Sequence, residues 1–488
     1  MIGKKYAFNK LIKLFMLAMQ QVTERVTDKI RNSELDFIEK IGKESIYKEL
    51  TYNSENYNQF LVDALNAVYS TIIVCMSFFY VWFISKEAFL IGGVIFVLAG
   101  CYVKVTTKEL NGILDEKITD QTYHLKIFNQ LLMGFKELKL NSIMSKSHYN
   151  HLQESIEKMN KTNLRANYYN IEHFYCSFNI VYFTFLGIIV FILPKISTAN
   201  TEIILKVLIL CIFSSGSVSN VFVYLPLFSE LNQIVKRMYM LETSLDAEKN
   251  ISASHSLIAL DQFIHFNQIH IENLAYHYHD KNGSVLFTLG PVSFTINKGE
   301  IIFVTGGNGS GKSTLVKLIG GLYFPASGNI AIDGIPLTES DYKAYRTLFS
   351  IITSDFYLFK RLYGLDSIDE NLIFKYLKTM KLDAKTGIAN KEFTNIQLST
   401  GQRKRLAMIV SLLHDRQVFI LDEWAADQDV SFRKYYYETL LTELKRKGKT
   451  LIVVSHDDRF YHLADKVIKL EYGDSLETQC SASLHKTI

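Results

Sequence analysis

The stretch Ile301-Ile302-Phe303-Val304-Thr305-Gly306-Gly307-Asn308-Gly309-Ser310-Gly311-Lys312-Ser313-Thr314-Leu315-Val316-Lys317-Leu318-Ile319 decides how this chain is read. A run of β-forming residues enters a glycine-rich turn, and the turn opens directly into a helix-forming segment. Glycine at 306, 307, 309 and 311 lets successive backbone N–H groups turn inward at the positive end of that helix, a cradle for phosphate oxygens. Lys312 then reaches the β- and γ-phosphates, and Ser313 offers its hydroxyl to Mg²⁺. Asn308, Ser310 and Thr314 complete the loop. Without a strand before it and a helix after it, the same spacing would be an ordinary glycine turn.

Further along, Val418-Phe419-Ile420-Leu421-Asp422-Glu423 is an apolar strand ending in two carboxylates. Asp422 is placed to hold Mg²⁺ through water, and Glu423 to orient or deprotonate an attacking water. Leu398-Ser399-Thr400-Gly401-Gln402, followed by Arg403, Lys404 and Arg405, reads as a turn opening a basic helix. Such a helix start is an anion site, although alone it would pass for a capped surface helix. The strand Leu451–Ser455 delivers His456 to its C-terminal end, the edge where ligands collect in open α/β sheets, which puts His456 near the γ-phosphate. β-type runs alternate with helical stretches at 312–321, 401–414 and 432–447, and this predicts a parallel α/β sheet in the region from about 263 onward.

The first half has another texture. The chain has 488 residues, is 48% apolar and carries a formal charge of +4. Its length supports two or three domains. Charge-free windows run 64–85, 88–103, 174–194 and 207–229, and none of comparable length follows residue 230. A helix needs roughly 20 residues to cross the hydrocarbon core. The second window falls short, but Lys104 can snorkel and extend it to 105. The expectation is four spans, about 64–85, 88–105, 174–194 and 207–229. That pattern excludes a disordered chain and argues against a wholly soluble one. Segments 1–63 and 104–173 each hold ten Lys/Arg, against one and two in the short connections 85–87 and 195–206. The positive-inside rule therefore places both charged segments and the C-terminal half in the cytoplasm. Cys75, Cys101, Cys176 and Cys211 lie inside apolar stretches, so no disulfide framework or metal cluster is available. The near-neutral balance points to no nucleic-acid partner.

Segments 20–63 and 108–170 read as helical cytoplasmic extensions of the spans, and Pro226 as a kink in the last one. The small, polar residues of 244–262 read as a linker. The expected fold is thus an all-α transmembrane helical bundle over 1–243, followed after the linker by an α/β P-loop nucleotide-binding domain over 263–488.

The glycine loop, LSTGQ, LDE and the Ser455-His456-Asp457 triplet stand in the order and spacing of an ABC transporter nucleotide-binding domain, which the chain resembles along essentially its whole length. The resemblance implies an ATPase coupled to transport, with ATP and Mg²⁺ as cofactors. It gives Tyr278 the role of the adenine-stacking aromatic and Asp429 that of the acidic residue in the loop after Glu423. It also implies a head-to-tail homodimer, each ATP lying between Lys312 of one copy and Ser399–Gly401 of the other.

Departures narrow the subfamily. Ser354 stands where most such domains have Gln, and Asp422-Glu423-Trp424-Ala425-Ala426-Asp427-Gln428-Asp429 replaces the usual Pro-Thr-Ser-Ala-Leu run. Together with Ser33-Glu34-Leu35, Ile38–Gly42 and Gly134–Leu140, these resemble the cyclic-peptide and siderophore exporter group, which includes pyoverdine and syringomycin exporters. The group implies a bacterial cytoplasmic (inner) membrane protein that exports a cyclic peptide, lipopeptide or siderophore, with coupling segments at Ile38–Lys48 and Leu132–Asn141. Its members have six spans. The expectation here is that the first span and most of the second are missing, through a displaced start or a natural truncation. The aromatic faces of Phe78, Phe79, Tyr80, Trp82, Phe174, Tyr175, Phe178 and Tyr182 suit an amphipathic ligand, or else lipid contact. A non-transporting membrane ATPase that signals to a partner, or an inactive truncated half-transporter, stands as the alternative. A soluble ATPase acting on ribosomes or DNA is opposed by the spans.

Overall fold

The computed structural model describes residues 2–42, 46, 57–172, 177–192, 194, 201–252, 263, 265–280, 282–365 and 369–479. The chain divides into two compact units: Met1–Arg31 with Gly42–Leu245, and Asn32–Ile41 with Asp246–Ile488.

The first unit is helical among its described residues. Among the described residues, three helices are long and apolar enough to cross a membrane: Val62–Ile84, Lys86–Met133 and Thr201–Val221. The helix Ser177–Phe191 has 15 residues, below the roughly 20 that a crossing needs. The expected span 174–194 is therefore matched only in part, and residues 174–176 and 193 lie outside the described residues. On Val62–Ile84, Ile72, Met76, Phe79 and Phe83 are all exposed. Their spacing puts them on one helical stripe, a surface that suits hydrocarbon better than water. On the other side Val81, Ala88, Ile189, Val207 and Cys211 form a buried cluster joining four helices.

Lys86–Met133 is one continuous helix of 48 residues, so the second span and its polar extension are a single rod. Gly134 ends it, its N–H donating to the Gln130 carbonyl at 2.8 Å. The short helix Phe135–Leu140 follows, and Asn141 then caps Ser142–Asn170 by accepting from the amides of Ile143 and Met144. The two long helices pair through Leu110, Ile113, Leu114, Ala166 and Tyr169. Buried Asp120 adds an ion pair with Lys158 at 2.7 Å and accepts a hydrogen bond from Thr162 at 2.6 Å. The final helix runs Thr201–Ser252 and includes Pro226. Of the expected linker 244–262, residues 244–252 are helical, because Asp246-Ala247-Glu248-Lys249 allow a helix already nucleated to propagate.

The second unit holds a four-stranded antiparallel sheet and a six-stranded, mostly parallel one. In the first, Gln268–His279 lies between Val285–Asn297 and Ser327–Ile332, paired antiparallel to both. The parallel sheet expected from about 263 therefore begins only at Ile301. In the larger sheet the order from one edge is Asp474–Gln479, Lys466–Glu471, Ile301–Gly306, Thr450–Val454, Val418–Asp422 and Phe349–Ile352. All neighbours are parallel except the first pair. Every residue of Val418–Asp422 and Thr450–Val454 is buried, as central strands covered on both faces require. The strand leading into the glycine loop thus sits mid-sheet, with the strand carrying Asp422 two places away.

Trp424, 1% exposed, fixes the turn after that strand. It stacks on Tyr436 at 4.5 Å, and its indole N–H donates to the Lys404 carbonyl at 2.9 Å. Trp424→Ala should cost about 3–5 kcal/mol of stability. Denaturant unfolding of the full chain, followed by near-UV circular dichroism, checks this.

Candidate nucleotide-binding site

Gly306 leaves its strand with φ at 144°, and a Cβ there would lie 2.3 Å from the Leu470 carbonyl oxygen and 2.7 Å from Ser310 Oγ. Only glycine lets the loop leave the sheet at this angle. Gly311 precedes the helix Lys312–Ile319, whose first amides point back into the loop. Lys312 is buried, and its Nζ donates to the carbonyls of Gly306 at 3.0 Å and Gly307 at 2.9 Å. A single cation is thereby held over the concave side of the loop.

Ser313 Oγ donates to Asp422 Oδ2 at 3.1 Å, bringing together two residues 109 apart in sequence. Burial pushes the Asp422 carboxyl above its ordinary range, while the Ser313 hydroxyl and the backbone amide of Ser354 pull it back. Asp422 Oδ1 and Ser310 Oγ are buried with no hydrogen-bond partner of good geometry. Among the described residues, no group of three or more His, Cys, Asp or Glu could hold a metal. Two protein oxygens beside a phosphate cradle nevertheless fit Mg²⁺, which keeps water and phosphate as its remaining ligands.

Glu423 follows in a left-handed conformation, φ 48°, which turns its side chain away from the strand. Its amide donates to the Val454 carbonyl at 3.2 Å, and its own carbonyl accepts from Lys404 Nζ at 2.7 Å. Lys404 also pairs with Asp427 at 2.7 Å. The Glu423 carboxylate stands 3.3 Å from His456 Nε2, so both sequence candidates line one cavity of about 370 Å³, with Ser455, Asp457, Arg433 and Arg459. Arg459 grips Asp457 at 2.7 and 2.8 Å, and Tyr437 meets Ser455 at 2.6 Å. A carboxylate beside an imidazole at the carboxyl end of a sheet is equipped to hold and move a proton.

Ser399 caps the helix Thr400–His414 in a reciprocal box with Gln402, and Leu398 packs on the core beneath. Gly401 is pressed close: a Cβ would meet the Asp427 carbonyl oxygen at 2.4 Å. The Gln428 side chain donates through Nε2 to the Gly401 carbonyl at 3.0 Å and accepts from Arg405 Nε through Oε1 at 2.7 Å. Arg405 continues to Asp429 at 2.7 Å and lies 3.7 Å over the Phe432 ring. The Ser431 hydroxyl, the Phe432 amide and Arg405 hold the Asp429 carboxyl well below the usual carboxylate range. Among the described residues no hydrogen bond or ion pair joins Ser399–Gln402 to Gly306–Thr314. Within one chain the two segments are separate.

Tyr278 lies over the start of the loop helix, its hydroxyl 3.3 Å from Thr314 Oγ1. Nothing local in the sequence singles out the contacts of Lys404, Gln428 and Arg433. Lys404 and Arg405 were visible as a basic run, but their partners lie about twenty residues away across the fold. Of the proposed aromatic face in the other unit, Phe78 and Tyr182 line an apolar cavity, whereas Phe79, Tyr80 and Trp82 are exposed. Phe174 and Tyr175, and the side chain of Phe178, lie outside the described residues.

Comparison with known proteins agrees with this geometry. The sequence model of the ABC transporter family matches residues 289–426. The chain is 34% identical over 354 residues to the ATP-binding protein SyrD of Pseudomonas syringae pv. syringae, covering 70% of this chain and 62% of that protein. It is 30% identical over 207 residues to the ATP-dependent lipid A-core flippase of Burkholderia pseudomallei, covering 39% and 34%. The chain thus spans about three-fifths of the first relative's length and a third of the second's. The solved structure of a bacterial Atm1-family ABC exporter with ATP bound shares the fold at TM-score 0.76 and 14% identity, over 97% of this chain and 84% of that one. Residues 289–426, with the loop, strand end and capped helix described above, are therefore similar to the ABC transporter family.

Proposed function

We propose that this chain is an ATP-hydrolysing half of a homodimeric exporter in the bacterial cytoplasmic membrane, moving a peptide-like substrate such as a cyclic peptide, lipopeptide or siderophore. The observation that carries the reading is the convergence of Lys312, Ser313, Asp422, Glu423 and His456 at the carboxyl edge of one sheet, in a chain that also has spanning-length apolar helices. The similarity to an ATP-dependent lipid A-core flippase supports movement of a substrate across the membrane rather than another use of ATP.

In this reading residues 1–243 form the membrane part and 263–488 the nucleotide-binding domain. Lys312 and the amides of Gly306–Thr314 grip the β- and γ-phosphates, and Tyr278 stacks on the adenine. Ser313 and Asp422 would hold Mg²⁺, which when bound neutralises charge on the phosphates. Glu423 takes the proton of the attacking water, and His456, beside its carboxylate, meets the γ-phosphate. Ser399–Gly401, carried by Leu398–Gln402, close over the nucleotide from a second copy, because each anion site is incomplete within one chain. Hydrophobic surface on the first unit favours the same assembly: Leu132, Met133, Phe135, Leu140 and Ile143 are all exposed around the Gly134 turn.

Inside-out vesicles containing the full chain test the substrate reading. ATP should drive uptake of a labelled cyclic lipopeptide into them, and Glu423→Gln vesicles should show none. Steady ATP turnover without uptake of any peptide-like probe would refute export while leaving the ATPase intact.

A further inference from the structure

Residues Asn32–Ile41 belong to the nucleotide-binding unit although they lie more than 200 positions before it in sequence. Three carboxylates seat them. Glu34 forms a two-pronged ion pair with Arg346, one arm at 3.2 Å. Asp36 Oδ1 accepts from the Tyr276 hydroxyl at 2.9 Å. Glu39 accepts from the Tyr323 hydroxyl and from Lys317 Nζ, the latter at 3.1 Å. Leu35 packs on the apolar core between them.

The two tyrosines are neighbours of the base site. Tyr276 and Tyr323 are buried and stack face to face at 4.9 Å with an interplanar angle of 19°. Tyr278 stands edge-on to both, at 5.0 Å from Tyr276 and 6.3 Å from Tyr323. Lys317 lies on the loop helix itself and covers the Tyr323 ring at 4.7 Å. We infer that Asp36 and Glu39 are positioning residues for the nucleotide base: through the stacked Tyr276–Tyr323 pair they hold Tyr278 where it meets the adenine.

The physical case is preorganisation. A ring that stacks on a base loses affinity in proportion to the freedom it must give up on binding. Besides its weak hydroxyl contact to Thr314 and the tilted Phe287 ring 6.4 Å away, Tyr278 is held by the Tyr276 and Tyr323 rings it stands edge-on to, and its hydroxyl also interacts with that of Tyr323. Those rings are pinned at their hydroxyl ends by Asp36 and Glu39, groups on a segment covalently continuous with the helix Ile2–Arg31. Seating the segment and binding the base then favour one another, and by linkage the effect is reciprocal. The inference rests on the reading of Tyr278 as the adenine platform.

The experiment compares the Mg²⁺ complexes of ATP and of tripolyphosphate, which lacks the base, as ligands of the full chain in detergent. Asp36→Asn combined with Glu39→Gln should weaken ATP by about fivefold or more and leave tripolyphosphate binding unchanged. Tyr276→Phe keeps the ring and loses only the Asp36 contact; it should show a smaller selective loss, with no further loss when Asp36→Asn is added. Unchanged ATP affinity, or a parallel fall in both ligands, would overturn the inference, since a merely structural seat would loosen both alike. Tyr278→Ala separates the two readings. If it leaves ATP affinity intact, the adenine platform falls and the inference with it. If it weakens ATP selectively while the carboxylate variants do not, only the inference falls.

Discussion

Glu423→Gln should reduce ATP turnover by about 10²–10⁴-fold, the range over which a positioned base contributes to a proton-transfer step. The amide has the shape of the carboxylate it replaces and can still meet His456 Nε2, 3.3 Å away in the parent. The backbone is equally undisturbed, because the Val454 and Lys404 contacts involve the Glu423 amide and carbonyl. What is lost is the capacity to accept a proton. ATP affinity should stay close to the parent's, since Lys312 and Ser313 are untouched, and a fall in kcat without a rise in KM is the mark of an interaction made only in the transition state. Phosphate release measured alongside nucleotide binding distinguishes the outcomes. Parent-like turnover would remove Glu423 from the chemistry. An equal loss of binding would make it a structural residue of the strand end.

The legible parts of this molecule are those whose physics is local. The glycine loop announces itself because a phosphate cradle needs glycines within a few residues of one another, and Ser399-Thr400-Gly401-Gln402 because a helix cap is written in three or four positions. Central strands such as Val418–Asp422 read as apolar runs because both faces are covered. The antiparallel sheet of 268–297 and 327–332 is less visible, since half-buried strands containing polar residues such as His270, Glu272, His277 and Thr295 carry weaker periodicity. Least visible are the contacts that bridge distant segments. Glu34, Asp36 and Glu39 meet their partners across 312, 240 and 284 residues, and nothing in a short acidic helix names a tyrosine pair as its target. The helical state of 244–252 is hidden for a related reason: small polar residues signal a chain break only where no preceding helix carries the backbone through them, as Thr201–Ser252 does here.

Lys312→Met tests the cradle itself. The thioether side chain fills most of the lysine's volume in a position 6% exposed, so the loop keeps its packing. It loses the donor that Gly306 and Gly307 share through their carbonyls, each contact worth about 1 kcal/mol of stability. The larger consequence falls on the ligand. A hydrogen bond between charged groups contributes about 1.5–3 kcal/mol, so the Kd for ATP should rise by a factor of roughly ten to 150. ADP, which retains the β-phosphate, should weaken as well, whereas AMP, ending at the α-phosphate, should bind variant and parent alike. Tripolyphosphate should weaken together with ATP, the opposite of the base-selective loss expected at Asp36 and Glu39. Calorimetric titration of the four ligands reads all of this. Equal affinities for ATP in variant and parent would show that the backbone amides of Gly306–Thr314 hold the phosphates without the lysine, whose role would then be confined to bracing the loop.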